Sequence, residues 1–354
     1  MARHRKSVSM QTIADELNIS KNAVSLALSG KAGVSEDVRK LVVATAERMG
    51  YLAAKSSAKN EMYILFVVDE FIQFHDGFYY PIFSEVMNYA HQQGYQVLIS
   101  GVTREMQKDL ALPNIIYEFP VCGVLSMGLL NDAYLQKIMD LNFPLVMLVN
   151  QVMNIETDFV LSDNVQGAFQ IVNHLISMGH RKIGYISYLY SYRSFYQRWQ
   201  GYQIAMHTAG LPIVPEHSIV TEINYSPTIH PGDSRPLTSD EISAFVDKML
   251  TLENGPTAWL CGNDALAVSL INECQRRNIS VPDEISFAGF DGTEHASIVR
   301  PTLTTMDTKR DVLSRQAVDL LIKHINHPEQ WHPVTVSVIC ELVQGDSVKD
   351  LQQN

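Results

Sequence analysis

The stretch Met10-Gln-Thr-Ile-Ala-Asp-Glu-Leu-Asn-Ile-Ser-Lys-Asn-Ala-Val-Ser-Leu-Ala-Leu-Ser-Gly30 decides how the rest of the chain is read. Met10, Ile13, Ala14 and Leu17 recur at the i, i+3, i+4, i+7 spacing of one helical face, and Ser9 stands at the N-cap. Asn18 tolerates the left-handed conformation, so a tight turn is expected at Asn18-Ile19. Ser20 then caps a second helix over 21–28, with Val24, Ala27 and Leu28 turned inward. Beyond Gly30 and Gly33, Ser35 caps a third helix. Glu36 and Asp37 lie in its positive first turn, Val38, Leu41, Val42, Thr45 and Met49 form its apolar stripe, and Gly50 ends it. Three short helices with a sharp turn between the first two make a helix-turn-helix module.

The outward face of the second helix carries Lys21, Asn22, Ser25, Leu26 and Ser29, small and polar enough to enter a major groove. Asn22 can pair in a fork with adenine, Lys21 can reach guanine or a phosphate, and Leu26 can touch a thymine methyl. The same residues also fit the solvated side of a surface helix. Charge bears on the choice. Residues 1–59 hold ten Lys and Arg against five Asp and Glu, while residues 60–354 hold 17 against 33. A basic head can meet nucleic acid that the acidic whole, at −11, would repel. The DNA-contacting candidates are therefore Ser9, Met10, Ser20, Lys21, Asn22, Ser25, Leu26 and Ser29, with Lys31, Arg39 and Lys55 supplying phosphate attraction.

At 354 residues with 46% apolar and 18% charged side chains, the chain is globular and long enough for two or three domains. Its longest apolar runs, 122–130 and 144–149, fall short of a bilayer span, and the polar stretch 7–12 behind the basic start is unlike a signal peptide. A cytoplasmic protein with no membrane partner is expected. Cys122, Cys261, Cys274 and Cys340 show no metal-ligand spacing, so free buried thiols are expected and neither a metal nor a cofactor.

From Met62 onward strand-like runs (63–68, 96–100, 123–127, 145–149, 159–162, 183–187, 257–260, 285–289) alternate with helical patterns (82–92, 132–141, 168–178, 198–209, 239–252, 265–277). This order predicts an α/β body of two doubly wound parallel-sheet subdomains, with a ligand beyond the carboxyl ends of their strands. The Pro-rich segment 225–236 reads as an inserted surface loop. Asp163, Asn263 and Asp291 stand at strand ends, and Arg198 is read as opening a helix. Any one Asp or Asn there is a helix cap first. Together with an Arg they suit a polyhydroxylated ligand held in the cleft between the subdomains. Phe78, Tyr79 and Tyr80 offer an aromatic face for a sugar ring, or belong to the core or a dimer surface.

The head, continued through Val34-Ser-Glu-Asp-Val-Arg39 and Met49-Gly-Tyr51, closely resembles the DNA-binding head of LacI/GalR bacterial transcription regulators. The likeness extends through Asp163-Asn-Val-Gln-Gly-Ala, His174-Leu-Ile-Ser-Met-Gly-His-Arg-Lys-Ile-Gly184, Arg198-Trp-Gln-Gly-Tyr202, Asn263-Asp264, Gly289-Phe-Asp291, Pro301-Thr-Leu-Thr-Thr305 and Glu341-Leu-Val343. The resemblance implies an all-α helix-turn-helix head over 1–52, a hinge over 53–61, and a periplasmic-binding-protein-like body. The N-terminal subdomain would take 62–162 and 306–325, and the C-terminal one 163–305 and 326–354, joined by three crossing strands. It implies a homodimeric regulator, more often a repressor, that binds a pseudo-palindromic operator in double-stranded DNA under a sugar-like effector. Base reading carries over to Lys21, Asn22 and Leu26, and effector contacts to Arg198, Asn263, Asp291 and Asp163.

Three departures stand out. Leu26 replaces a common Arg, Asn60 replaces the leucine that wedges the minor groove, and Gly345 replaces another common Arg. Six residues after Val348 leave no room for a tetramerising heptad tail. An enzyme is disfavoured, since no G-x-S-x-G elbow, P-loop or G-x-G-x-x-G follows a strand. His174 and His180 read as capping or packing groups. Control mainly by a protein co-regulator stays open as the alternative.

Overall fold

The computed structural model describes residues 9–28, 33–49, 51, 62–70, 72, 77–187, 193–220 and 238–352. The hinge 53–61 with Lys55 and Asn60, the loop 225–236, and Ser29, Lys31 and Gly50 lie outside the described residues.

The head forms α1 (Met10–Leu17), α2 (Lys21–Leu28) and α3 (Glu36–Arg48). Each begins on the expected serine. Ser9 Oγ accepts the Thr12 N–H at 3.3 Å, Ser20 Oγ that of Ala23 at 3.1 Å and Ser35 Oγ that of Val38 at 3.4 Å. Asn18 takes the left-handed conformation at φ 53°, which turns the chain from α1 into α2. Ile13, Ala14, Val24, Ala27, Leu28, Val42 and Ala46 fill the core. Leu41, expected in the α3 stripe, is instead 55% exposed. The buried face of α3 runs through Val42, Thr45 and Ala46, one residue further round the helix.

The body begins with β1 (Met62–Asp69), α4 (Tyr79–Gln92), β2 (Tyr95–Val102), α5 (Arg104–Asp109), α6 (Ile115–Glu118), β3 (Val121–Met127), α7 (Asp132–Met139), β4 (Leu145–Leu148) and β5 (Asp158–Ser162). It continues with α8 (Asn164–Ser177), β6 (Ile183–Ser187), α9 (Arg193–Thr208), β7 (Ser218–Val220), α10 (Ser239–Thr251), β8 (Ala258–Cys261) and α11 (Asp264–Arg276). Last come β9 (Ser286–Ala288), α12 (Glu294–Ile298), β10 (Thr305–Asp307), α13 (Arg310–Asn326), β11 (Thr335–Val338) and β12 (Glu341–Val343). Arg198 therefore lies in the middle of α9, which starts at Arg193, and does not open a helix. No described helix is long and apolar enough to cross a membrane.

The chain divides into two compact units, Met1–Ile72 with Phe83–Val160 and Ser314–Thr335, and Gln73–Ile82 with Leu161–Leu313 and Val336–Asn354. It passes from one to the other after Ile72, within α4, within β5, within α13 and within β11. One sheet has the order β11-β5-β4-β3-β1-β2, with β1 parallel to both β2 and β3. Chain order runs outward in both directions from β1 and β3, so their carboxyl ends form a topological switch point. Ile64 to Asp69 are buried without a break, as expected of a parallel strand covered on both faces.

The second sheet, β7-β6-β8-β9, is parallel throughout and has its switch point between β6 and β8. Period-two alternation splits its residues between two cores. Ile186, Trp259, Cys261 and Phe287 pack with α10 and α11, while Ile183, Tyr185, Ala258, Leu260 and Ala288 pack with α8 and α9. A two-stranded antiparallel pair, β10-β12, belongs to the second unit as well. His180 is buried and packs as expected, with Nδ1 2.8 Å from Thr257 Oγ1 and Nε2 3.1 Å from the Lys349 carbonyl. The four thiols are free, three of them buried.

Two glycines are set by close backbone approach. A Cβ on Gly345 would lie 2.4 Å from the Thr302 carbonyl oxygen, which leaves no space for an Arg there. A Cβ on Gly201 would lie 2.2 Å from the Val165 carbonyl oxygen and 2.7 Å from Ala168 Cβ, so α9 rests on α8 at van der Waals distance. Gly201→Ala is expected to destabilise the protein by about 1–3 kcal/mol through overpacking, read from the urea midpoint. An unchanged midpoint would mean that the two helices separate freely.

Candidate functional site

On the head, Lys21 and Asn22 stand exposed at the start of α2, directly after the Ser20 cap. Ser25 and Leu26 are half-buried. Leu26 Cδ1 comes within 3.0 Å of where a Cβ on Gly33 would be, and Gly33 has a φ of 125°. Arg39 turns inward. Its Nη1 donates to the Ala27 carbonyl at 3.0 Å and the Leu26 carbonyl at 3.4 Å, and its Nε lies 3.6 Å from Glu36. The guanidinium thus satisfies carbonyls at the end of α2 and fixes that helix to α3. Ser9 and Ser20 use their hydroxyls as caps, and Met10 is half-buried.

In the second unit a polar cluster forms at the switch point between β6 and β8. Arg198 projects from α9 with 5% of its surface exposed. Its Nε donates to Asn164 Oδ1 at 3.0 Å, Nη1 to the Gly262 carbonyl just after β8 at 2.6 Å, and Nη2 to Asp291 Oδ1 at 2.8 Å. The guanidinium carbon lies 4.0 Å from the centroid of the Phe290 ring and 5.4 Å from that of Phe195. Three strand ends, β5, β8 and β9, therefore converge on one fork of donors. Asp291 holds a φ of 115°, a conformation costing a non-glycine residue of order 1–3 kcal/mol. Thr308 Oγ1 donates to its carbonyl, and its own N–H donates to the Met306 carbonyl at 2.8 Å.

Two of the other candidates cap helices. Asp163 Oδ1 accepts the Gln166 N–H at 3.0 Å and Asn263 Oδ1 that of Leu266 at 3.0 Å, each capping its helix. Phe78 lies with its ring centroid 5.8 Å from the Arg310 guanidinium carbon and 5.0 Å from Tyr79, edge on. Arg310 in turn donates to the Gly77 and Gly292 carbonyls, which ties the Phe78 segment to the turn after Asp291. Tyr80 is 59% exposed.

Three polar groups lie outside the site residues read from the sequence, although Asp264 is part of the Asn263-Asp264 likeness. Asp264 is fully buried, and burial together with the Asp291 charge pushes its carboxyl up to about 7, against hydrogen bonds from Thr305 and Thr293. In the first unit Asp69, at the end of β1, accepts the Leu129 N–H on Oδ2 at 3.1 Å, and Asn150 donates to the Gly128 carbonyl at 3.0 Å. Both stand beside that sheet's own switch point, and the strand-end rule that picks out Asp163 covers them equally. No group of His, Cys, Asp and Glu suited to a metal ion occurs among the described residues.

A buried cation bound this way is sensitive to losing its counter-charge. Asp291→Ala is expected to cost about 3–5 kcal/mol in urea unfolding. A loss below about 1 kcal/mol would mean that water reaches Arg198 as readily as Asp291 does.

Residues 172–348 match the periplasmic binding protein-like domain family. Among curated relatives, the HTH-type transcriptional repressor PurR of Actinobacillus pleuropneumoniae is 25% identical over 353 residues, 97% of this chain and 99% of that one. Among solved structures, the CelR–cellobiose complex of a transcriptional regulator superposes with a TM-score of 0.67 at 21% identity, over 96% of this chain and 99% of that one. The lac repressor dimer bound to operator and the anti-inducer ONPF gives a TM-score of 0.65 at 19% identity, over 97% of this chain and all of that one. With half of its length matched to that domain and a helix-turn-helix head in front of it, the chain belongs to the LacI-type family of transcriptional regulators.

Proposed function

We propose that the chain is a DNA-binding repressor whose dimer sets two heads on a pseudo-palindromic operator and answers to a small-molecule effector. The observation that carries the reading is the pair Lys21 and Asn22, exposed at the start of a capped second helix in a chain similar along its length to a repressor. Lys21 and Asn22 read base edges in the major groove, and Leu26 contributes an apolar contact from its half-buried position. Arg39, tied to α2, shapes the reading helix more than it meets phosphate. Residues 1–52 serve as the head, 53–61 as the hinge, and 62–162 with 306–325 and 163–305 with 326–354 as the two effector-binding subdomains. The protein works in the cytoplasm, on the chromosome.

The effector is a sugar or a sugar derivative. Arg198 and Asp291 supply a fork of donors and an acceptor already in place, the polarity that ring hydroxyls need. Phe78 supplies an apolar face, and Asp163 and Asn263, each capping its helix and next in the chain to a partner of Arg198, supply further polar groups. The cellobiose held by CelR supports this class. The effector acts only so far as it binds one conformation of the body better than another.

A thermal-shift panel of sugars, sugar phosphates, polyols and nucleobases is expected to yield a ligand that raises the melting temperature. Arg198→Ala should abolish that rise and leave operator affinity within about threefold. Loss of operator binding instead would show that Arg198 serves the fold alone. On the head, Asn22→Ala should weaken binding by about 1–3 kcal/mol at one base position in each half-site, measured by operator selection. An unaltered selected sequence would assign Asn22 to the solvated face.

A further inference from the structure

Asp264 is the first residue of α11 and has no exposed surface, yet it is a carboxyl group among apolar and hydroxyl neighbours. Its backbone N–H donates to the Phe290 carbonyl at 2.8 Å. Its Oδ2 accepts the Thr293 N–H at 2.7 Å and the Thr293 hydroxyl at 3.0 Å, and its Oδ1 accepts the Thr305 hydroxyl. The one residue therefore grips the chain immediately before Asp291 and two positions after it. Asp291 is the residue of this turn with the disfavoured φ, and its neighbours leave no slack. A Cβ on Gly289 would lie 2.3 Å from Asp264 Oδ1, and one on Gly292 would lie 2.6 Å from Asp307 Cα.

We propose that Asp264 is a positioning residue, holding the strained turn so that the Asp291 carboxylate meets Arg198, and that one proton on Asp264 switches the strength of that contact. What rests on reading the Arg198 cluster as the effector site is the consequence: effector affinity follows the protonation of a residue that the effector does not touch.

The charged and titratable groups around Asp264 come from several elements. Asp291 follows β9, with Arg198 of α9 beyond it, and Cys261 ends β8 as a thiol that burial keeps protonated. Asp307 lies beyond Gly292 and is paired with Lys309 at 3.1 Å. With Asp264 neutral, Arg198 faces a single carboxylate. With Asp264 ionised, a second negative charge sits behind Asp291, and the grip of the turn is made by charge-assisted bonds from Thr293 and Thr305. The folded carboxyl is raised to about 7 from its ordinary position, so the native state holds the proton more firmly than the unfolded chain does. Its contribution to stability is complete below the ordinary carboxylate range near 4 and is lost as pH rises through about 7.

The test needs no effector. In the full-length chain labelled with Nε-15N arginine, the Arg198 Nε–H signal is assigned by its loss in Arg198→Lys and followed from pH 5 to 8.5. In the wild type it is expected to move with a single midpoint near 7. Asp264→Asn, which keeps the shape and removes the charge, should retain the signal and abolish the titration. Asp264→Ala should move the signal to the position it takes in Asp291→Asn, because the turn is released. Titration that survives in Asp264→Asn overturns the proton switch, and a signal unmoved in Asp264→Ala overturns the positioning role. If Asp264→Ala does not fold, the Asp264→Asn titration alone decides. Failure of the effector reading would appear separately, as an effector response that Arg198→Ala leaves intact.

Discussion

Arg198 sits in the middle of a helix with its guanidinium almost wholly out of water, and a buried cation dictates its surroundings. It requires a counter-charge, supplied by Asp291, and acceptors for its remaining N–H groups, supplied by Asn164 and the Gly262 carbonyl. Those partners come from the ends of three strands, so the strands must end where they do and the helices must begin there. Gly262 must be a glycine, since a Cβ would lie 2.1 Å from Ser187 Oγ. Asp291 must hold a backbone conformation that aspartate disfavours. Much of the local geometry of the second unit follows from accommodating this one side chain.

The head obeys a different constraint. Its helices are eight, eight and thirteen residues long, too short to persist in isolation, and hold together through a small shared core and their caps. Arg39 adds a link across the module, from α3 to the carbonyls at the end of α2. Ion pairing between Arg48 of α3 and Glu16 of α1, at 3.0 Å, is exposed and adds little. The reading helix is therefore oriented mainly by apolar packing and by backbone hydrogen bonds that salt screens weakly.

Much of this was legible in the residues. Serine caps, Asn18 in the turn and the inward triplet Val24, Ala27 and Leu28 act locally, so their meaning is carried by spacing alone. The central strands were legible because continuous burial on both faces demands apolar runs. What escaped was set by contacts distant in sequence. The 17-residue α13 follows Lys309, which stands in the left-handed conformation, and spacing alone did not mark it as a helix. Strands β10 and β12 are three residues each, too short to show alternation. Leu41 looks like a core residue by type, but the face of α3 that packs is fixed by its neighbours. Asp264 stands next to Asn263 in the sequence, and only the third dimension shows that one caps a helix and the other is sealed inside.

The route of the chain carries a consequence for biosynthesis. Neither unit of the body is contiguous: the first lacks 314–335 and the second lacks 336–354 until those segments are synthesised. Pairing of β10 with β12, and the hydrogen bond from Phe287 N–H to the Ser347 carbonyl at 3.0 Å, both wait for residues 341–347 to leave the ribosome. The head, by contrast, builds its core from residues 13–46, all of them synthesised before the body. Domains fold as their segments emerge. A nascent chain thus presents a folded helix-turn-helix well before it owns a finished body, and a ribosome stalled late in the message would display a DNA-reading head on an unregulated chain.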